Sequence, residues 1–234
     1  MAIGERQKKN AQVILSSAII KANMLKSKYA AWREEIAKHE NDLVLALFLG
    51  TLALILNMLS GRYVERVGAA QPEDLILDHL PVIDLSFIYV WLMILVLAVY
   101  FIYPFLYHPN KIHYAIGLFS LFILIRAGFV VLTHLKIPVE AITDISWSPF
   151  FYDFFSFNNY LFFSGHVGAP FLGFLMFKSK KMKVFMLASS IILAATVLFM
   201  HVHYSIDVLA AYFITYTIYK MGDFMFGNGK EEKV

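Results

Sequence analysis

Apolar residues in this chain fall in long unbroken runs, not in alternation or in narrow helical stripes. A bilayer core needs about twenty apolar residues per helix. Six segments meet that rule: roughly Leu43–Leu59, Phe87–Leu106, Tyr114–Leu135, Tyr160–Phe177, Val184–Val202 and Ile206–Phe226. The pattern predicts an all-α integral membrane protein with six transmembrane helices. Before the first run, Gln12 to Glu40 reads as a helix. Leu25, Tyr29, Trp32 and Ile36 recur at three- and four-residue steps among Lys26, Lys28, Arg33 and Lys38. An N-terminal amphipathic helix on the membrane surface fits this spacing, and so does a solvated helical extension. The division expected is an arm over residues 1–42, a six-helix membrane domain over 43–226 and a tail over 227–234. The segment from Lys136 to Asn159 is aromatic, with Trp147, Phe150, Phe151, Tyr152 and Phe154. Those residues suit a membrane interface or a lid lying on it.

Composition agrees with the pattern. Of the 234 residues 59% are hydrophobic and 16% charged, against about half and about a quarter in soluble domains. No cysteine is present, which removes disulfide and thiol chemistry. About forty mostly polar residues precede the first apolar run, unlike a cleavable signal peptide. No internal repeat or low-complexity tract is visible.

Charge orients the spans. The arm, the His108–His113 and Lys178–Lys183 loops and the tail fall on one side of a six-span chain and hold fifteen of its twenty Lys and Arg, and Lys220 lies near the same side in the last turns of the sixth span. The opposite side holds Arg62, Arg66 and Lys136, and Arg126 lies inside the third span. Basic residues mark the cytoplasmic face, so both termini are expected there. The expected surroundings are the lipid bilayer, with no nucleic-acid partner.

With that topology, ionisable residues from three stretches approach the non-cytoplasmic face. They are Arg126 in ILIRAGFVVLTHL, His166 in YLFFSGH, and His203 with Asp207 in HYSID. Such groups are expensive in a membrane and mark functional sites. His203 and Asp207 are four apart, so on a helix they share a face. A carboxylate fixes the imidazole tautomer and makes the other ring nitrogen a better base or nucleophile. His166, on another helix, can face His203 across a substrate and protonate a leaving group. Arg126 offers a planar fork to an anion, and Gly165 permits close approach beside His166. This set suits acyl or phosphoryl transfer and needs no metal or cofactor. Taken singly, each residue has a structural reading: a hydrogen-bonded packing histidine, a snorkelling arginine, a capping Ser164 or Ser205. His201 and His203 form His-x-His, but zinc needs further ligands that the sequence does not place. His201 points away from the His203 face if the segment is helical. His79, His108, His113 and His134 read as loop residues.

HYSIDVLAAYFITY resembles the C-terminal active-site motif of the sphingomyelin synthase family, His-Tyr-Ser/Thr-x-Asp-Val followed by Ala-Tyr. FFSGHVG resembles that family's Phe-Ser-Gly-His motif, IRAGFVVLTHLKIP its Arg-containing third-helix segment, and DLILDHLPVID its segment between the first two spans. The similarity covers about Asp74 to Tyr216, and the last motif is the specific one. The family belongs to the type 2 phosphatidic acid phosphatase superfamily, with six spans and an exoplasmic site. The resemblance implies that His203 is the nucleophile that becomes phosphohistidine, that Asp207 activates it, and that His166 is general acid and then general base. The substrate-binding set expected is Arg126, Ser164, Gly165, Tyr204, Tyr160 and Glu140. The synthases carry Cys-Gly-Asp shortly before Ser-Gly-His. Here the stretch is FNNYLFF, with Tyr160 near the place of that Asp, so its role is missing or is supplied by Glu140, Asp144 or Asp153. The phosphatases' Lys-x6-Arg-Pro motif is absent, and Thr196 and Val197 stand where their Ser-Arg precedes the nucleophile.

Three functions follow. The first is transfer of a phospho-headgroup from a phosphodiester lipid to a lipid alcohol such as ceramide or diacylglycerol. The second is hydrolysis of lipid phosphate esters. The third is a non-enzymatic transporter relaying protons through His and Asp. It ranks last, because transporter folds often carry internal repeats.

Overall fold

A computed structural model describes residues 2–68, 70–143 and 162–226. Trp147, Phe150, Phe151, Tyr152 and Phe154 lie outside them, as do Asp144, Asp153, Tyr160 and the 227–234 tail. The described chain is all-helical, with α1 Ala2–Lys38, α2 Glu40–Val67, α3 Ser86–Tyr107, α4 Ile112–Thr133, α5 Gly165–Met176, α6 Lys180–Phe199 and α7 Ser205–Phe226. It divides into two units, 1–40 and 41–234.

The first unit is α1, which starts well before the Gln12 expected from periodicity. The added stretch, rich in Lys, Gln and Ala, has high helix propensity. Leu15, Ile19, Ile20, Met24 and Tyr29 are exposed on it. Lys38 in the last turn pairs with Glu34 and Glu35, at 3.6 and 3.2 Å.

The second unit inverts the usual arrangement of a soluble protein. Helix α2 turns small residues inward: Ala46, Ala53, Ser60 and Gly61 are buried. Val44, Phe48, Leu52, Ile55 and Leu59 are exposed on it. Apolar side chains facing out and small ones at the helix contact are what lipid-facing helices require. The small residues let α4 come close, and the Ser120 hydroxyl of α4 reaches the Ala46 carbonyl at 3.3 Å. Helix α2 outruns the expected Leu59 because nothing stops it before Gly68, which takes a left-handed φ of 83°. His134, also left-handed, ends α4, and Pro138 follows.

Four described helices are long and apolar enough to cross a membrane: α2, α3, α4 with its leading turn from Pro109, and α6. Helix α5 has 12 residues, about 18 Å at 1.5 Å per residue, against a hydrocarbon core of about 30 Å. The expected fourth span began at Tyr160, outside the described residues. Helix α7 has 22 residues but carries Asp207, Lys220 and Asp223 among tyrosines and threonines, which lowers its hydropathy.

Helix α5 packs against α3, α4, α6 and α7. The core around it includes Tyr100, Phe122, Phe163, Leu172 and Met186, all fully buried. At one end of the bundle three connecting segments knit together. The Ala70 N–H donates to the His134 carbonyl (2.9 Å) and the Lys136 N–H to the Ala70 carbonyl (2.8 Å). The Ile83 N–H donates to the Phe199 carbonyl (2.8 Å) and the Ile142 N–H to the Met200 carbonyl (3.0 Å). This end holds the start of α5 and of α7, and with them the polar residues singled out above.

Candidate active site

Helix α6 stops at Phe199 and α7 begins at Ser205, so residues 200–204 form a turn. His203 therefore precedes the helix that carries Asp207. The shared helical face expected from i,i+4 spacing is not what joins them. The Asp207 carboxylate reaches back from the first turn of α7. Its Oδ2 lies 3.2 Å from His203 Nδ1 and accepts the Tyr204 N–H at 3.1 Å. The second contact is the returning half of a capping box, in which a third-position side chain satisfies the N–H at the helix start. Where the carboxylate oxygen accepts, Nδ1 donates and the lone pair is left on Nε2. Asp207 is wholly buried and His203 nearly so. The other carboxylate oxygen, Oδ1, is buried with no hydrogen-bond partner among the described residues.

The FFSGH segment docks on this turn through its backbone: the Ser164 N–H donates to the Asp207 carbonyl at 3.2 Å. The Ser164 hydroxyl, fully buried, has no partner among the described residues. Two residues on, His166 stacks on Tyr89 of α3, ring centroids 3.9 Å apart and planes at 24°. His166 lies within electrostatic reach of both His203 and Arg126. Arg126, from α4, donates through Nε to the Phe163 carbonyl at 3.0 Å and through Nη1 to Asn57 of α2 at 3.3 Å. A Cβ on Gly165 would stand 3.5 Å from Arg126 Nε, an ordinary contact. The close approach at Gly165 is therefore that of the guanidinium, and space alone does not demand glycine.

Four helices, α3, α4, α5 and α7, thus supply Tyr89, Arg126, His166 and Asp207, and the turn before α7 supplies His203. No protein-family model, curated protein or solved structure matches this chain. Its chemistry must be read from the residues themselves.

Tyr204 turns away from the pair. Its hydroxyl donates to the Lys136 carbonyl at 2.9 Å, and burial, then the Asp207 and Asp74 carboxylates, push its pKa up to about 12. Glu140 is exposed and stands with His201, 4.0 Å from its Nδ1, not with His203. His201 is buried in a left-handed conformation, φ 54°, with Nε2 3.2 Å from the Leu80 carbonyl. A cavity of roughly 370 Å³ lies here, lined among others by Glu73, Asp74, Asp78, Glu140, His201 and Tyr204. Of the remaining histidines, His113 departs from expectation: it lies in the first turn of α4 and is buried.

Three residues of this constellation escaped the sequence reading: Asn57, Tyr89 and Asp74. Asn57 and Tyr89 sit in apolar runs where only the fold shows whom they meet. Asp74 had a local signal, a carboxylate two and three residues before backbone amides that it can cap.

Proposed function

We propose that this chain is a membrane lipid phosphotransferase that moves a phospho-headgroup from a phosphodiester lipid to a lipid alcohol. The observation that carries the reading is the buried His203–Asp207 pair, with a second imidazole, His166, in electrostatic reach of both His203 and the Arg126 guanidinium. In the reaction proposed, His203 Nε2 attacks phosphorus. The bond from phosphorus to the departing lipid oxygen breaks, and His166 gives that oxygen its proton. The headgroup phosphate is then held on His203. His166, now neutral, takes the proton of an incoming lipid alcohol, whose oxygen attacks phosphorus and releases His203. Asp207 stabilises the imidazole as positive charge builds on it. Arg126 provides the positive charge facing the phosphate oxygens. A phosphodiester bears one negative charge, which one arginine and two histidines match. A monoester carries nearly two and usually meets several basic groups.

The topology proposed has six spans, with α5 in the fourth and α7 as the last. Both termini are cytoplasmic and the knitted end of the bundle faces the exoplasmic side. The sphingomyelin synthase-like motifs agree with this reading.

The test is made on purified chain in liposomes holding a labelled phosphodiester lipid, with and without ceramide or diacylglycerol. A new labelled phospholipid that requires the acceptor is the expected product, formed faster than phosphate is released from phosphatidic acid. Faster phosphate release with no new phospholipid reverses the assignment to a lipid phosphate phosphatase. A free phospho-headgroup from the diester removes the acceptor and keeps the donor.

A further inference from the structure

We propose that Asp74 is a positioning residue for the His203–Asp207 pair, clamping the first residue of α7 from the loop between α2 and α3. The inference rests on the phosphotransfer reading above and adds a residue that does not touch the reacting atoms. Asp74 is 7% exposed and lies 131 positions before its partner Ser205. Its Oδ1 accepts the N–H groups of Ile76 and Leu77, each at 3.0 Å. Its Oδ2 accepts the Ser205 N–H at 2.6 Å, and the Ser205 hydroxyl stands 2.9 Å from both oxygens. A carboxylate offers about four acceptor sites. One face of this carboxylate shapes its own loop and the other holds the start of α7. Burial raises its pKa, yet the amides of Leu77 and Ser205 and the Ser205 hydroxyl outweigh that and hold it below the usual carboxylate range.

The clamp falls between the two members of the pair. His203 stands two residues before Ser205, and Asp207 two residues after. Their 3.2 Å contact therefore depends on the angle at which the turn enters the helix. Two side chains set that angle: Asp207 by taking the Tyr204 N–H, and Asp74 by taking the next N–H along, that of Ser205. Both amides belong to the group that a helix start leaves unsatisfied, and a negative charge there is favoured by the helix dipole. Asparagine at position 74 presents one acceptor oxygen, so it satisfies its own loop or Ser205, not both. Loss of the clamp lets the first turn of α7 open and moves the imidazole relative to its carboxylate. Small misplacements of a reacting group cost rate while leaving substrate affinity intact.

The experiment compares Asp74→Asn, Ser205→Ala, the double variant and Asp78→Asn, an exposed carboxylate of the same loop, as full chains in liposomes. Headgroup-transfer kinetics and backbone amide exchange are both measured. Asp74→Asn should lower kcat by about tenfold or more with KM within about twofold. Amide exchange over residues 203–207 should rise by about tenfold, with α6 unchanged. Ser205→Ala keeps its N–H bond and should lose less. The double variant should be no worse than Asp74→Asn by more than about twofold, because the two act as one unit. Asp78→Asn should match the parent in both readouts. A parental kcat in Asp74→Asn, unaltered exchange over 203–207, or exchange that rises throughout the bundle would each overturn the clamp. Should the parent chain transfer no more headgroup than His203→Ala, the phosphotransfer reading fails, and the exchange measurement still decides whether Asp74 holds α7.

Discussion

Asp207 meets His203 across a helix boundary: the imidazole precedes α7, the carboxylate lies in its first turn, and 3.2 Å separates Nδ1 from Oδ2. The same Oδ2 takes the Tyr204 N–H, so one oxygen both starts the helix and orients the ring. A helix start is a place where a buried carboxylate is tolerated, because its dipole and free amides favour negative charge.

His203→Ala and Asp207→Asn are each expected to lower headgroup transfer by about a hundredfold or more, at unchanged expression. His201 supplies the contrast. It holds the Leu80 carbonyl in a left-handed turn, a conformation that asparagine adopts more readily than most residues. His201→Asn should therefore keep activity within about threefold of the parent, because an amide can still donate to the Leu80 carbonyl and the backbone conformation is kept. Loss of function in His201→Asn together with an active His203→Ala would assign the nucleophile to the other imidazole.

The helix positions were legible because a bilayer imposes runs of apolar residues: α2 to α7 each fall on one of the six segments read from them, and four of these helices are long and apolar enough to cross a membrane. Their ends were less so. Helix α2 continues past Leu59 until Gly68, and α7 carries enough polar side chains that length, not hydropathy, marks it as a possible span. His203, Asp207, His166 and Arg126 stood out because each is costly in an apolar run. What escaped was pairing over distance. Tyr89 resembles any interfacial tyrosine until His166 stacks on it. Asp74 resembles a solvated loop acid until Ser205, far along the chain, closes on it. The pair itself was found for an incomplete reason: spacing of four suggested a helical face, and the turn achieves the contact by a capping geometry.

Arg126 ties α4 to α2 and to the backbone just before Ser164, through Asn57 and the Phe163 carbonyl. Lysine keeps the charge but lacks the planar fork that serves two directions at once. Arg126→Lys is expected to lower kcat/KM by about tenfold or more, as for loss of a charged hydrogen bond near 1.5–3 kcal/mol. A fully active Arg126→Lys in the liposome assay would restrict the residue to topology or packing.

Gly168 sits where α5 meets α4 and α7. A Cβ there would come within 2.7 Å of the Phe122 ring and 2.8 Å of the Thr215 hydroxyl. Gly168→Ala is expected to destabilise the bundle by about 1–3 kcal/mol through overpacking. A thermal unfolding midpoint in detergent that is lower than the parent's by several degrees is the expected result. An unchanged midpoint would mean that the ring and hydroxyl move aside without cost.

The sidedness of the site is the last point that experiment can decide, and the chain suits the measurement because it contains no cysteine. On the six-span path proposed above, fifteen of twenty basic residues lie in segments of one side and Lys220 near it, so the 178–183 loop is expected in the cytoplasm and the 136–143 segment outside. A single cysteine at exposed Glu140 should react with a membrane-impermeant maleimide in intact cells. A single cysteine at Lys180, the first residue of α6, should react only after permeabilisation. Neither position belongs to the His203–Asp207 pair, so both variants should remain active and the labelling reports a folded protein. The reverse pattern would put the paired imidazoles on the cytoplasmic face, with substrates drawn from the inner leaflet. Labelling of both positions from outside would mean that the chain does not cross the membrane between them, which removes the fourth span from the proposed topology.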